Sequence, residues 1–410
     1  MPSITEIPTE LLGDILKHSG QPLTLTKVCW RFNDIATPIL YREIRLEPLK
    51  RLTICLILRT FIDKPALGDH VRCLRVHLIH PIPDPIRNDQ FISFIPDGFT
   101  AAAESHRIAL EIRQGIAKES IPAMIFLLLC YLPALQRFAV TFQQVLGQDD
   151  HAVYLEMFTT SPLLSALQSV RFLELSFTGI SRQSIGWDMI MSFLRLPALE
   201  SFHAAHLLVK GAISNPPTSG SSNVEHIELD DSEFDEEILD ALISSPRSLR
   251  IFVFKEFDET APVLYLLPTI GDALRKYSLN TLERLVIFGW RNNKKTGLLG
   301  SLSNFSRLTY IRITCSLLLG VPDLGGTSTI ALRLRMILPA SVVSLILGID
   351  RTWKDVNMVQ VVEQLLNNRH DNLRHLKDLY FPGISLKSDE DMIKSLCLAE
   401  GIEYRWISSF

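Results

Sequence analysis

Two histidine pairs have the spacing of metal ligands: His77-x-x-His80 and His203-x-x-His206. On a helix, residues three apart share a face and can share an ion. Both pairs fall in or beside segments that read as strands, where such spacing points the side chains in opposite directions. They are therefore expected to be solvent-facing or hydrogen-bonded histidines. An acidic run follows the second pair: Glu228, Asp230, Asp231, Glu233, Asp235, Glu236, Glu237 and Asp240, with no lysine or arginine inside it. It could serve a cation, recognise a basic partner, or be the solvated start of a helix, where the dipole favours acids. Calcium is not expected, since the spaced oxygens and central glycine of an EF-hand loop are missing. Arg291, Lys294 and Lys295 beside Trp290 form a small basic counterpart, too few to make a nucleic-acid groove.

Other chemistry has less behind it. The six cysteines, Cys29, Cys55, Cys73, Cys130, Cys315 and Cys397, lie far apart, so neither a disulfide framework nor a zinc site is expected. The sequence contains no G-x-x-x-x-G-K-[ST], G-x-S-x-G or G-x-G-x-x-G, which leaves phosphate cradling and a nucleophile elbow without a motif. The expectation is a protein that is not an enzyme, with no catalytic residues, no metal and no cofactor.

The 410 residues are 47% hydrophobic and 21% charged, the balance of a folded protein. A net charge of -4 gives no global attraction for nucleic acid or an anionic membrane, so neither is expected as a partner. The longest apolar run, Ile121 to Leu132, contains Pro122 and is too short to cross a bilayer. With no visible signal peptide, the expected location is cytoplasmic or nuclear.

The elements that would position these groups repeat. Arg42 to Leu46 alternates polar and apolar residues as a half-buried strand does. Val71, Leu74 and Val76 then open an L-x-x-L-x-L pattern. It recurs around Phe138, Leu173, Phe202, Ile227, Phe252, Leu285, Ile311, Leu345 and Leu379, at separations of 25 to 35 residues. Segments of helical period lie between, near 101–117, 184–196, 233–243, 263–274, 329–338 and 356–366. Strand, loop, helix and return at this period predicts an α/β chain of parallel strands lining a concave face with helices outside. An open alternating sheet with helices on both faces is the alternative. Residues between the apolar strand positions would face a target: Glu174, His203, Glu228, Val253, Val286, Arg312, Ile346 and Tyr380. Their mixed charge suits a protein ligand better than a phosphate polymer. Pro81 to Gly98, Ser214 to Asn223 and Gly320 to Ser328 read as loops, the second as a mobile low-complexity insertion.

Before the repeats stand two short amphipathic helices. Pro8 and Glu10 mark the first start, and Ile7, Leu11, Leu12, Ile15 and Leu16 form its stripe. Leu25, Val28, Cys29, Phe32, Ile35 and Ala36 form the second, expected to end at Thr37-Pro38. Ile7-Pro8-Thr9-Glu10-Leu11-Leu12, Ile15-Leu16, Val28-Cys29-Trp30-Arg31-Phe32 and Pro38-Ile39-Leu40-Tyr41-Arg42 together resemble the F-box of fungal F-box proteins. The stretch from Leu16 to Val28 is about two residues shorter than usual, and Ser19-Gly20-Gln21-Pro22 replaces its leucine-containing middle. The later repeats are similar to irregular leucine-rich repeats. This resemblance implies an F-box over 1–45 and a leucine-rich-repeat solenoid over 46–410. It also implies a Skp-type adaptor, with Ile7, Pro8, Leu11, Leu12, Ile15, Leu16, Val28, Cys29 and Phe32 as the set that binds the adaptor or forms the module's own core, and through the adaptor a cullin-RING ubiquitin ligase of SCF type. The repeats would then hold a target protein. The rival is a leucine-rich-repeat scaffold with a vestigial F-box and no ligase role.

Overall fold

Alternation in Glu-Ile-Arg-Leu sets the first strand. In the computed structural model, β1 (Glu43–Leu46) exposes Glu43 and Arg45 and buries Ile44 and Leu46. The structure describes residues 11, 12, 14, 24, 27, 29–46, 51–79, 96–106, 108, 110–117, 120–143, 161–178, 183–213, 217–256, 266–289, 297–320, 322, 326–350, 352–367, 369–382 and 387–404. By internal contacts the chain divides into two units, Met1–Leu199 and Glu200–Phe410.

In the first unit β1 pairs in parallel with β2 (Cys73–Ile79), β2 with β3 (Arg137–Gln143), and β3 with β4 (Phe172–Thr178). Leu74, Phe138 and Leu173 share one register row and are at most 1% exposed. The expected amphipathic segment at 101–117 is two helices, Pro96–Ser105 and Leu110–Ala117. They part where the Ile108 N–H reaches back to the Ala103 carbonyl in a turn too wide to continue the helix. The apolar run forms the helix Ile121–Cys130, in which Pro122 through Leu129 are all buried. Among the described residues no helix is long and apolar enough to cross a membrane. A short strand, β5 (Gln183–Ile185), precedes the helix Trp187–Leu194.

The second unit contains β6 (Ser201–Ala205), β7 (Leu207–Val209), β8 (His226–Asp230), β9 (Glu233–Phe234), β10 (Ile251–Glu256), β11 (Arg284–Gly289), β12 (Tyr310–Thr314), β13 (Ser344–Gly348), β14 (Asp378–Tyr380) and β15 (Glu403–Tyr404). β6, β8 and β10 through β15 pair in parallel in that order, and β7 pairs with β9. Phe202, Ile227, Phe252, Leu285, Ile311, Leu345 and Leu379 form one register row, each 0% exposed. The recurring apolar centre of the sequence is thus one continuous line of core. Returns between strands carry the helices Glu236–Ser244, Leu267–Tyr277, Thr327–Ile337 and Met358–Leu366. The second of these packs on the first, and the fourth packs on the third and on Lys387–Ala399.

A backbone staple repeats with the strands. Two successive N–H groups at each strand entry share one carbonyl of the preceding strand entry. Glu225 and His226 bond to the Glu200 carbonyl, Arg250 and Ile251 to Glu225, Glu283 and Arg284 to Arg250, and Thr309 and Tyr310 to Glu283. The entry turn of each return is therefore satisfied by its neighbour, as buried backbone requires. At the other end of β8, Ser232 Oγ accepts the Leu207 N–H at 3.1 Å and lies 2.9 Å from the Asp230 carbonyl. A small buried hydroxyl there satisfies the turning chain.

Two expectations are corrected. The insertion at Ser214 to Asn223 is not loose over 217–223. Gly220 N–H donates to Ser244, Ser222 N–H to Ser245, and Arg247 Nε to the Gly220 carbonyl, and Ser222 is 2% exposed. Its composition suggested mobility, but its backbone hydrogen bonds tie it to the end of the helix Glu236–Ser244. The helix expected to stop at Thr37-Pro38 runs from Trp30 to Leu40. Pro38 removes one N–H, yet Tyr41 N–H reaches the Thr37 carbonyl, and one more turn survives.

Candidate functional site

The helical module at the start of the first unit has a small core of its own. Leu12, Phe32 and Ala36 are buried together, with Cys29, Ile35, Ile39 and Leu40 packed around them. Tyr41 meets Phe61 edge-on at 6.0 Å and ties the module's end to the helix Arg51–Asp63. Leu11 and Trp30 turn outward, 56% and 77% exposed. Of the set expected to bind the adaptor or form the module's core, Leu12 and Phe32 are thus core, Cys29 is half-buried and Leu11 faces solvent. Ile7, Pro8, Ile15, Leu16 and Val28 lie outside the described residues.

The expected target-facing residues fall into register rows. In the second unit His203, Glu228, Val253, Val286, Arg312, Ile346 and Tyr380 stand side by side on successive strands. The apolar members, Val253, Val286, Ile346 and Tyr380, are all buried. His203, Glu228 and Arg312 keep partial access to solvent, and the Arg312 guanidinium lies 5.9 Å from the centre of the Phe288 ring. In the first unit Glu174 stands in a row with Arg45, Arg75 and Ala139 and pairs with Arg137 at 3.5 Å.

Around His203 the rows converge into a polar cluster. His203 Nε2 is 3.1 Å from Asp230 Oδ2. Lys255 Nζ is 3.2 Å from Asp230 Oδ1 and also bonds Glu228. His226 Nδ1 is 3.2 Å from Ser201 Oγ, and its Nε2 is 3.8 Å from Glu228 Oε2. Parallel register makes this possible, because His203 neighbours Glu228, and Ala205, Asp230 and Lys255 occupy adjacent strands at one level. Burial pushes the His226 imidazole below its usual range and outweighs the pull of Glu228. Burial works upward on the Asp230 carboxyl, but the His203 hydrogen bond and the Lys255 charge prevail and hold it below its ordinary value. Lys255 is desolvated too, yet its two carboxylates keep it above the usual lysine range.

These directions predict the acid response. His226 binds its proton less tightly when folded, so its contribution is complete above the unfolded value of 6.5 and is lost as pH falls below it. Asp230 is also depressed. Its contribution is present above 3.8 and is lost as pH falls through its lower folded value. Denaturant midpoints measured across pH should show His226→Gln flattening the decline that sets in as pH falls below about 6.5, and Asp230→Asn flattening it only below about pH 4.

His203 and His206 are each hydrogen-bonded, as expected of histidines at strand spacing, and to different carboxylates. His206 adopts φ of 56° and turns to Asp231 at 3.0 Å, while His203 joins the acids of β8. The acidic run is largely answered from within the unit. Lys255 and His203 meet Glu228 and Asp230, Lys210 meets Glu233 at 3.3 Å, and Asp235 Oδ2 accepts the Gly211 N–H. Glu236 and Glu237 occupy the first turn of a helix, where their charge suits the dipole. His226, Asp230 and Lys255 were missed as face residues, although each stands two positions from a face residue already named and so points the same way. His80, Trp290, Arg291, Lys294 and Lys295 lie outside the described residues. No protein-family model matches the chain, and no curated protein matches it significantly.

Proposed function

We propose that the chain is the substrate-recognition subunit of an SCF-type ubiquitin ligase, an F-box module that binds a Skp-type adaptor followed by irregular leucine-rich repeats that bind a target protein. The observation that carries this reading is the division of labour at the module. Leu12, Phe32 and Ala36 close a private core, which leaves Leu11 and Trp30 as large apolar side chains turned to solvent. Exposed aromatic and aliphatic anchors are what a shared adaptor would grip. The register rows of parallel strands and the carbonyl staple support the repeat reading, since each return needs its neighbour to bury its apolar residues. Such a protein makes and breaks no bonds. It holds the target near a ubiquitin-charged enzyme and raises the effective concentration of its lysines.

The test is capture of a purified Skp-type adaptor by the full chain. Wild type should bind, and Leu11→Asp should weaken binding by about thirtyfold or more, the scale of a lost hot spot. Leu56→Asp, at another exposed leucine of the first unit, should leave it unchanged. A wild-type chain that ignores the adaptor would leave the scaffold reading in its place.

A further inference from the structure

The cluster on β6, β8 and β10 has a donor set that the adaptor reading does not use. His203, Glu228 and Asp230 each offer one ligand atom, and these atoms all lie within 4.8 Å of one another. Donors on a tetrahedral ion of zinc size stand about 3.4 Å apart, so side-chain rotation alone could bring them onto one centre. The backbone beneath them is fixed by the parallel ladder, which supplies the rigidity a ligand set needs.

A second imidazole stands behind Glu228. The His226 Nε2 atom is buried without a hydrogen-bond partner and is 3.8 Å from that carboxylate, while Nδ1 is engaged by Ser201. If Nδ1 carries the proton, Nε2 presents a lone pair to the cluster. The place between the carboxylates already attracts positive charge, since the Lys255 ammonium reaches both of them. Lys255 is 29% exposed on a flexible stem and can swing out to water. Two carboxylates against one ammonium, with neutral imidazoles, leave the cluster at one negative charge.

We infer that His203, Glu228 and Asp230, backed by His226, form a binding site for a divalent transition-metal ion of zinc type, which enters in exchange for the Lys255 ammonium. Mixed imidazole and carboxylate donors suit zinc rather than magnesium, which prefers oxygen alone in an octahedron. The site is independent of the N-terminal module, and neither proposal depends on the other.

The experiment is calorimetric titration of the chelator-stripped full chain with zinc chloride, paired with cobalt(II) absorption as a geometric probe. Wild type should take one equivalent of zinc and no magnesium, and cobalt should give the intense visible bands of a four-coordinate ion. His203→Ala and Asp230→Asn should each weaken zinc about a hundredfold, and His226→Gln about tenfold. Lys255→Met should tighten it about tenfold by removing the competing cation. His206→Ala, whose ring faces Asp231, should change nothing. Absence of binding to wild type would overturn the site. So would an affinity indifferent to His203→Ala and Asp230→Asn, or a Lys255→Met variant that stays folded by circular dichroism and binds no tighter than wild type.

Discussion

Phe252→Ala should lower the unfolding free energy of the full chain by about 3–5 kcal/mol, read as a fall in denaturant midpoint. Phe252 is 0% exposed and stands in register between Ile227 and Leu285, which are equally buried. Burying its ring contributes roughly 2–3 kcal/mol from transfer alone. The rest is the cavity, which the neighbours cannot collapse to fill. Their backbones are held by parallel pairing on both sides, and the strand entries are stapled through the Glu225 and Arg250 carbonyls. Met336→Ala, at a position 65% exposed, should stay within about 0.5 kcal/mol of wild type. A Phe252→Ala midpoint close to that of Met336→Ala would mean that the central row does not bear the fold.

The central row was legible because two periods coincide in it. Apolar residues two apart define one face of a strand, and their return every 25 to 35 residues says that the strands stack. Four helices of the second unit were legible from their own helical period, each within a few residues of its observed range, whereas Lys387–Ala399 was not read from the sequence. What sequence alone left open is which residues become neighbours across strands. His203 spaced to His206 looks like a pair along the chain, but its partners Glu228 and Asp230 come from the next strand, and Lys255 from the one beyond. That choice belongs to register, which a single strand does not carry. The module at the start was ambiguous in another way. Leu11 and Leu12 are adjacent, about 100° apart around a helix, so periodicity admits either as core. Packing against Phe32 and Ala36 selects Leu12 and leaves Leu11 to solvent. At Pro38 and over 217–223 local preference was read correctly but overruled, in each case by backbone hydrogen bonds formed further along the chain.

Gly271→Ala should destabilise the full chain by about 2 kcal/mol or more, although alanine is the better helix former by about 1 kcal/mol. Gly271 lies inside the helix Leu267–Tyr277, where intrinsic preference alone would favour the substitution. A Cβ built there would stand 1.9 Å from the Leu299 carbonyl oxygen and 3.0 Å from its carbon. The obstacle is backbone, and it is held in place. Arg275 Nη1 donates to that carbonyl at 2.9 Å, the Leu299 N–H is bonded to Leu317, and the Leu299 side chain is 0% exposed. Relief requires moving the helix or the Leu299 segment by more than an ångström, which breaks the arginine contact and opens the packing beneath. Gly68→Ala meets the same barrier at the Tyr131 carbonyl oxygen, 1.8 Å away. Gly98 is the contrast, because it sits within the helix Pro96–Ser105 with nothing inside 4 Å of its would-be Cβ. There the propensity term acts alone, and Gly98→Ala should stabilise by up to about 1 kcal/mol. One substitution thus has opposite signs at two helical glycines, and thermal or denaturant melts of the two variants read the difference directly. A Gly271→Ala protein as stable as wild type would show that the helix does not rest on the Leu299 carbonyl.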